Sequence, residues 1–212
     1  MTTPLNQSRS WYEQHVLPYL LDFACGLSPI QKQRRKVIPS AAGRVLEIGI
    51  GTGLNLPFYD QTQVQSLVGV DPAEHMHALA QRRSQRCGLP VELIQLSAEQ
   101  LPIDSASFDC VVCTYTLCSI DDPLAALREM RRVLKPKGRL LFAEHGLAPD
   151  ASVARWQFRL EPYWSKLAGG CRLTRHVPEL LRDAGFHATG GEAYVAWPKT
   201  LGYNYWGVAT VL

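Results

Sequence analysis

Short runs of β-branched and aliphatic residues recur through the middle of the chain, separated by stretches whose apolar residues return every third or fourth position. The runs at residues 45–48, 67–70, 91–96, 111–113 and 140–143 read as strands. One helix is predicted from about 73 to 87, with Met76, Leu79, Ala80 and Arg83 along one face. Another starts at Asp122, an N-cap residue, with Pro123 at the first helical position. Its apolar residues Leu124, Leu127, Met130 and Leu134 follow at spacings of three and four, and Pro136 with Gly138 ends it. Strands alternating with helices imply right-handed crossovers, hence an α/β fold with a mostly parallel sheet.

The flanks read differently. Residues 1–40 predict helices rich in aromatic and apolar groups (Trp11, Tyr12, Tyr19, Leu20, Leu21, Phe23), forming an N-terminal cap on a core over 44–144. Residues 146–176 form an insertion carrying Trp156, Phe158, Tyr163 and Trp164. A structureless loop of that length is unusual in a compact domain, so the insertion is expected to be ordered and to serve the substrate side. In 177–212 a short helix at 178–184, closed by Gly185, precedes two runs at 188–196 and 203–211 that read as strands completing the sheet. With no internal repeat, the 212 residues are expected to make one domain.

Composition narrows the partners more than the fold. A net charge of +3 is far from the basic stripe of a nucleic-acid binder, so no nucleic-acid partner is expected. The densest basic cluster, Lys32, Arg34, Arg35 and Lys36, reads as a solvated helix face or as a contact for an anionic substrate or membrane surface. The polar start has no apolar signal core, and the apolar stretch at 16–27 is too short to span a bilayer, which needs ~20 residues. A cytoplasmic location is expected, with peripheral membrane contact left open. Cys110 and Cys113 form a Cys-x-x-Cys, but within a strand the odd spacing puts their thiols on opposite faces. His75, His77, His176 and His187 lack ligand-like spacing, and no metal is implied.

The sharpest constellation is Glu47-Ile48-Gly49-Ile50-Gly51-Thr52-Gly53, placed after a strand and before a helix. Glycines let a backbone turn tightly and approach a ligand closely, and a helix start offers free N–H groups. Asp71 follows at the distance of an acidic ribose partner on the second strand. A dinucleotide fingerprint would need Gly or Ala at position 54, which is Leu54. Glu47 also suits an amine-bearing cation better than a pyrophosphate.

The acidic residue followed by Gly-x-Gly-x-Gly resembles class I S-adenosylmethionine (SAM)-dependent methyltransferases, whose fold is Rossmann-like with a seven-stranded, mostly parallel sheet and helices on both faces. That resemblance implies SAM as cofactor, held by Glu47, Gly49, Gly51 and Gly53, with Asp71 on the ribose hydroxyls and Met76 near the adenine. It also implies Ala98 and Glu99 at the adenine edge and Thr114 beside the methionine moiety. More specifically, 111–114, Leu117-Cys118-Ser119, Glu144-His145, Trp156-Gln157, Glu161-Pro162, Trp164 and 170–175 resemble the methyltransferase-like microsomal thiol S-methyltransferases. Those relatives carry an N-terminal membrane anchor that residues 1–40 lack.

On the acceptor side a small thiol or hydrogen sulfide is the first expectation. N-methylation of a phospholipid headgroup or another lipophilic acceptor is the second, and a non-catalytic SAM-binding protein the third. An alkyl thiol with a pKa near ~8.5 is a few per cent thiolate at neutral pH, so one base or a positive potential suffices. His145 stands at the carboxyl end of the fifth strand as either the base or a structural histidine. Cys171 is either reactive or packed. Arg172 and Arg175 either raise the local potential or pair with Glu161 and Glu179. Tyr115 offers either an aromatic face to the sulfonium or core packing. Trp156, Tyr163 and Trp164, clustered outside the sheet, are expected to line an apolar acceptor pocket.

Overall fold

The computed structural model describes residues 16–212, so Trp11 and Tyr12 lie outside the described residues. Seven strands form one sheet: β1 (Gly43–Ile48), β2 (Val64–Val70), β3 (Glu92–Ile94), β4 (Phe108–Thr114), β5 (Leu134–His145), β6 (Phe186–Tyr194) and β7 (Tyr203–Val211). Their spatial order is β3-β2-β1-β4-β5-β7-β6. Pairing is parallel from β3 through β5, while β7 runs antiparallel to both β5 and β6. The chain order reverses between β1 and β4. That is the switch point at whose carboxyl side open α/β sheets bind ligands.

The helices are α1 (Leu17–Cys25), α2 (Ser28–Val37), α3 (Glu74–Cys87), α4 (Pro123–Val133), α5 (Ala151–Leu167), α6 (Val177–Asp183) and α7 (Lys199–Gly202). Asp122 caps α4 by accepting from the Ala125 N–H at 2.9 Å. The helix ends at Val133, three residues before Pro136, which corrects the boundary read from sequence. Leu134 is buried like a helix position but already opens β5, opposite Phe108. The central strands are buried on both faces. Leu46, Ile48, Val111 and Cys113 pack under α4 and α6, while Val45, Cys110, Val112 and Leu141 pack with Val37 and Ile38 at the end of α2. Cys110 and Cys113 thus belong to different cores, as their spacing requires. The 146–176 insertion is mostly α5, and buried Gln157 pins that helix through bonds to Ala148 N, Gly146 O and Thr200 O.

Candidate functional site

Polar groups converge at the carboxyl ends of β1 and β4, where open α/β sheets form a ligand cleft. Glu47 is buried at the foot of β1, where its two oxygens accept from Asn55 Nδ2 at 2.9 Å and Tyr59 OH at 2.7 Å. Burial raises its pKa to about 7 against the opposing bonds of Tyr59 and Asn55 and the charge of Arg34. Asp71, at the end of β2, accepts from the N–H groups of Gly51 (3.0 Å) and Ala73 (2.8 Å). Both oxygens keep lone pairs for a ligand.

The three glycines of the loop have different reasons to be glycine. A Cβ at Gly49 would lie 2.2 Å from the Thr116 side chain, and one at Gly53 2.7 Å from Leu56 Cδ1. Both are fixed by packing. At Gly51 (φ +52°) a Cβ would meet nothing closer than Met76 Sδ at 3.7 Å and Asp71 Oδ2 at 3.9 Å. Packing alone would therefore admit a Cβ at Gly51, which stands between the two residues assigned to ribose and adenine.

The N-terminal helices reach into this cleft, which the charge pattern did not foretell. Arg34 on α2 is 4% exposed, not part of a solvated face. Its Nη1 donates to Asn55 Oδ1 (2.7 Å) and Thr114 Oγ1 (2.6 Å), its guanidinium lies 5.0 Å from the Tyr115 ring centroid, and its buried Nε has no partner. Among the described residues no carboxylate comes within ion-pair distance of it. Asp22 on α1 accepts from Thr52 Oγ1 in the glycine loop, and Arg83 on α3 donates to both Asp22 and the Thr52 carbonyl. Nothing in a run of basic residues says which one turns inward; the signal was only that α2 carries more cations than a helix face needs.

These features fit SAM. A buried acid and an unneutralised buried guanidinium sit either side of Asn55 and Thr114, matching the ammonium and carboxylate of an amino-acid zwitterion. Ala98 is buried, and Met76 is half-buried beside Gly51. Glu99 is different: its carboxylate accepts from Ser97 Oγ and the Asp122 N–H, so it braces the start of α4.

The acceptor-side residues separate into two groups. Trp164 turns toward the sheet, and its Nε1 donates to Cys171 Sγ at 3.3 Å. His145 Nε2 lies 2.7 Å from the same sulfur. Cys118, buried in the turn after β4, completes the cluster. The Cys171 thiol is held far below its ordinary value by its hydrogen bond from Cys118, then by the charge and hydrogen bond of His145 and by Trp164. Burial disfavours a charged His145, but the facing sulfur outweighs it and the imidazole sits above its usual pKa. Cys118 was missed because it stands 27 and 53 residues from its partners.

Trp156 and Tyr163 do not join this cluster. They are 55% and 71% exposed on the outer face of α5, with Arg159 over the Trp156 ring, because a 17-residue helix cannot turn all its aromatics inward. Arg175 donates to the Ile120 carbonyl at 2.7 Å. The pairs of Arg172 and Arg175 with Glu161 and Glu179, one of the two readings of these residues, do not form. Glu161 instead accepts from Thr174 N and Oγ1, and Glu179 lies by His176. Tyr115 (φ +54°) donates from its hydroxyl to Asn204 at 2.6 Å, fixing its ring beside Arg34.

With this geometry in hand, similarity to known proteins is informative. Residues 46–142 match the methyltransferase domain family. Human thiol S-methyltransferase TMT1B is 37% identical over 158 residues, 71% of this chain and 64% of that protein, so the chain spans under two thirds of this relative's length. A phosphatidylethanolamine N-methyltransferase of Cereibacter sphaeroides is 33% identical over 149 residues, 67% of this chain and 72% of that protein. A SAM-dependent methyltransferase of Thermotoga maritima superposes with a TM-score of 0.66 at 23% identity, covering 94% of this chain and 97% of its own.

Proposed function

Because the chain belongs to the methyltransferase domain family of SAM-dependent enzymes, we propose that it methylates the sulfur of a small thiol or of hydrogen sulfide. When bound, SAM supplies a methyl group on a sulfonium, already a good leaving group, so the protein's work is alignment and exclusion of water. In this reading Asp71 accepts from the ribose hydroxyls, Glu47 balances the cofactor's ammonium and Arg34 takes its carboxylate. Met76 and Ala98 border the adenine, while Thr114 and Tyr115 border the methionine moiety. The observation that carries the acceptor is the grouping of Cys118, His145, Cys171 and Trp164, of which Cys118 lies on the turn that follows Thr114. It offers a soft, half-buried surface with an imidazole and no carboxylate among those four groups, suited to sulfur. The similarity to thiol S-methyltransferases points the same way.

Incubation of the full chain with methyl-labelled SAM and a panel of thiols, amines and phosphatidylethanolamine vesicles tests it, read by mass spectrometry. The expected product is a thioether. Label found in lipid and absent from every thiol would replace this reading with the second one. That alternative is favoured by exposed Tyr19, Leu20 and Phe23 on α1 and exposed Trp156, Phe158 and Tyr163 on α5, a surface able to meet a lipid-presented acceptor. No helix among the described residues is long and apolar enough to cross a membrane.

The raised pKa of Glu47 gives the cofactor step a pH dependence. Without cofactor, Glu47 keeps its proton below about pH 7, and burial favours that neutral form. A cationic ammonium favours the ionised form, so SAM binding strengthens as pH rises through 7 and releases a proton. Below that point affinity is expected to fall by up to about tenfold per pH unit. Titration calorimetry in two buffers of different ionisation enthalpy measures the proton release. An affinity flat from pH 5.5 to 8 in the wild type would remove Glu47 from the ammonium site.

A further inference from the structure

Cys118, His145 and Cys171 arrive from three separate segments, the turn after β4, the end of β5 and the loop after α5. Their donor atoms, two Sγ and one imidazole nitrogen, all lie within 4.8 Å of one another. Bonds outside the cluster hold them there. The Arg172 N–H donates to the Cys118 carbonyl at 2.8 Å, joining the loop of Cys171 to the turn of Cys118. Glu144, next to His145, accepts from the N–H groups of Thr116 (2.8 Å) and Leu117 (3.1 Å), joining that turn to β5. The segments that carry the three donors are therefore tied together by bonds outside the cluster as well as by the contacts within it.

We propose that Cys118 Sγ, Cys171 Sγ and His145 Nε2 form a three-ligand site for a thiophilic divalent cation, best matched by Zn²⁺. Two sulfurs and an imidazole suit zinc and exclude calcium and magnesium, which take oxygen ligands. Zinc–sulfur and zinc–nitrogen bonds of about 2.3 and 2.0–2.1 Å set tetrahedral ligand atoms roughly 3.4–3.8 Å apart. His145 and Cys171 need part by under about 1 Å from their 2.7 Å contact, and separations up to the 4.8 Å bound need close by no more than about 1 Å, to reach that geometry. Three protein ligands are the pattern of a zinc that keeps a position for an exogenous ligand. Trp164 Nε1–H, donating to Cys171 Sγ, supports the thiolate from behind.

The use of that open position rests on the thiol reading above. An acceptor thiol binding there gives its proton to solvent. Its sulfur then forms a bond to the cofactor methyl as the methyl–sulfonium bond breaks, yielding a thioether, S-adenosylhomocysteine and the released proton. A neutral thioether is the weaker ligand and departs.

The test is metal binding by the reduced full chain, independent of turnover. Titration with Co²⁺ should give the thiolate-to-cobalt charge-transfer and visible bands of a tetrahedral site, displaced by Zn²⁺, and elemental analysis should find about one zinc per chain. Cys118→Ser and Cys171→Ser should each lose most of the bound metal, while Cys87→Ser, in a residue remote from the cluster, should keep it. A reduced wild type that binds neither ion at micromolar concentration overturns the proposal without any variant having to fold. Metal retained in the folded Cys118→Ser/Cys171→Ser double variant overturns it too. Thiol methylation persisting in a metal-free enzyme would sink the zinc role and leave the thiol reading standing. Stoichiometric zinc with no thiol turnover would leave the metal site standing and sink the thiol reading together with the role built on it.

Discussion

Gly51→Val is expected to abolish SAM binding and leave the fold in place. The valine Cβ would make ordinary van der Waals contact, since the nearest protein atoms are 3.7 and 3.9 Å away, so no packed neighbour has to move for it. The backbone is another matter: a β-branched residue at φ +52° costs roughly 1–2 kcal/mol or somewhat more, a tolerable fraction of the ~5–15 kcal/mol of a typical domain. The two added methyl groups then occupy the space between Asp71 and Met76. Forcing a ligand past them costs about 3 kcal/mol or more, an affinity loss above roughly 100-fold. Gly49→Val is the informative contrast, because its Cβ falls 2.2 Å from the Thr116 side chain and should prevent folding outright. Calorimetry and thermal melts on the two variants separate the cases. A folded Gly51→Val protein binding SAM as the wild type does would place the cofactor elsewhere.

Arg34→Met is expected to weaken SAM binding by about 10- to 150-fold, the 1.5–3 kcal/mol of a hydrogen bond to a charged group. Stability should change much less. Burying a guanidinium with no carboxylate partner is unfavourable, and methionine removes that cost while keeping much of the volume. The loss of donors to Asn55 and Thr114 partly offsets the gain. Decarboxylated SAM makes the assignment specific: it should bind the wild type and the variant alike, because the group Arg34 holds is gone from the ligand. If both ligands lose affinity equally, Arg34 only shapes the cleft.

The cofactor half was readable because local rules place it. A strand, a glycine loop and a terminal acid come in one continuous stretch, although the helix expected after the loop is only the three-residue 3-10 turn Leu56–Phe58, because Pro57 and the short span before β2 leave no room for more. The period of two within β4 assigned Cys110 and Cys113 to opposite faces. The structure departs where the deciding partner is distant in sequence. A run such as Lys32 to Lys36 gives no sign that Arg34 alone points inward, because the groups it meets, Asn55 and Thr114, lie 21 and 80 positions away. Aromatic content located α5, but only the direction in which that helix docks separates Trp164, which faces Cys171, from Trp156 and Tyr163 outside. The end of α4 was read one or two residues late because Pro136 and Gly138 are the loud signals. The break is made earlier, where Leu134 pairs with Phe108.

The tie between Asp22, Thr52 and Arg83 differs in kind from the contacts of Arg34. Asp22 and Arg83 side chains remain 30% and 27% exposed, within reach of counter-ions, whereas the Arg34 bonds are sealed from water. Salt at physiological strength screens charges over about 8 Å, so it loosens the first and hardly touches the second. Of the described residues ahead of the sheet, α1 should therefore come away first and more readily as ionic strength rises, α2 only with local unfolding. Amide exchange at two salt concentrations would read that order. A cofactor held beneath them has two doors rather than one, and only the outer door answers to the surrounding electrolyte.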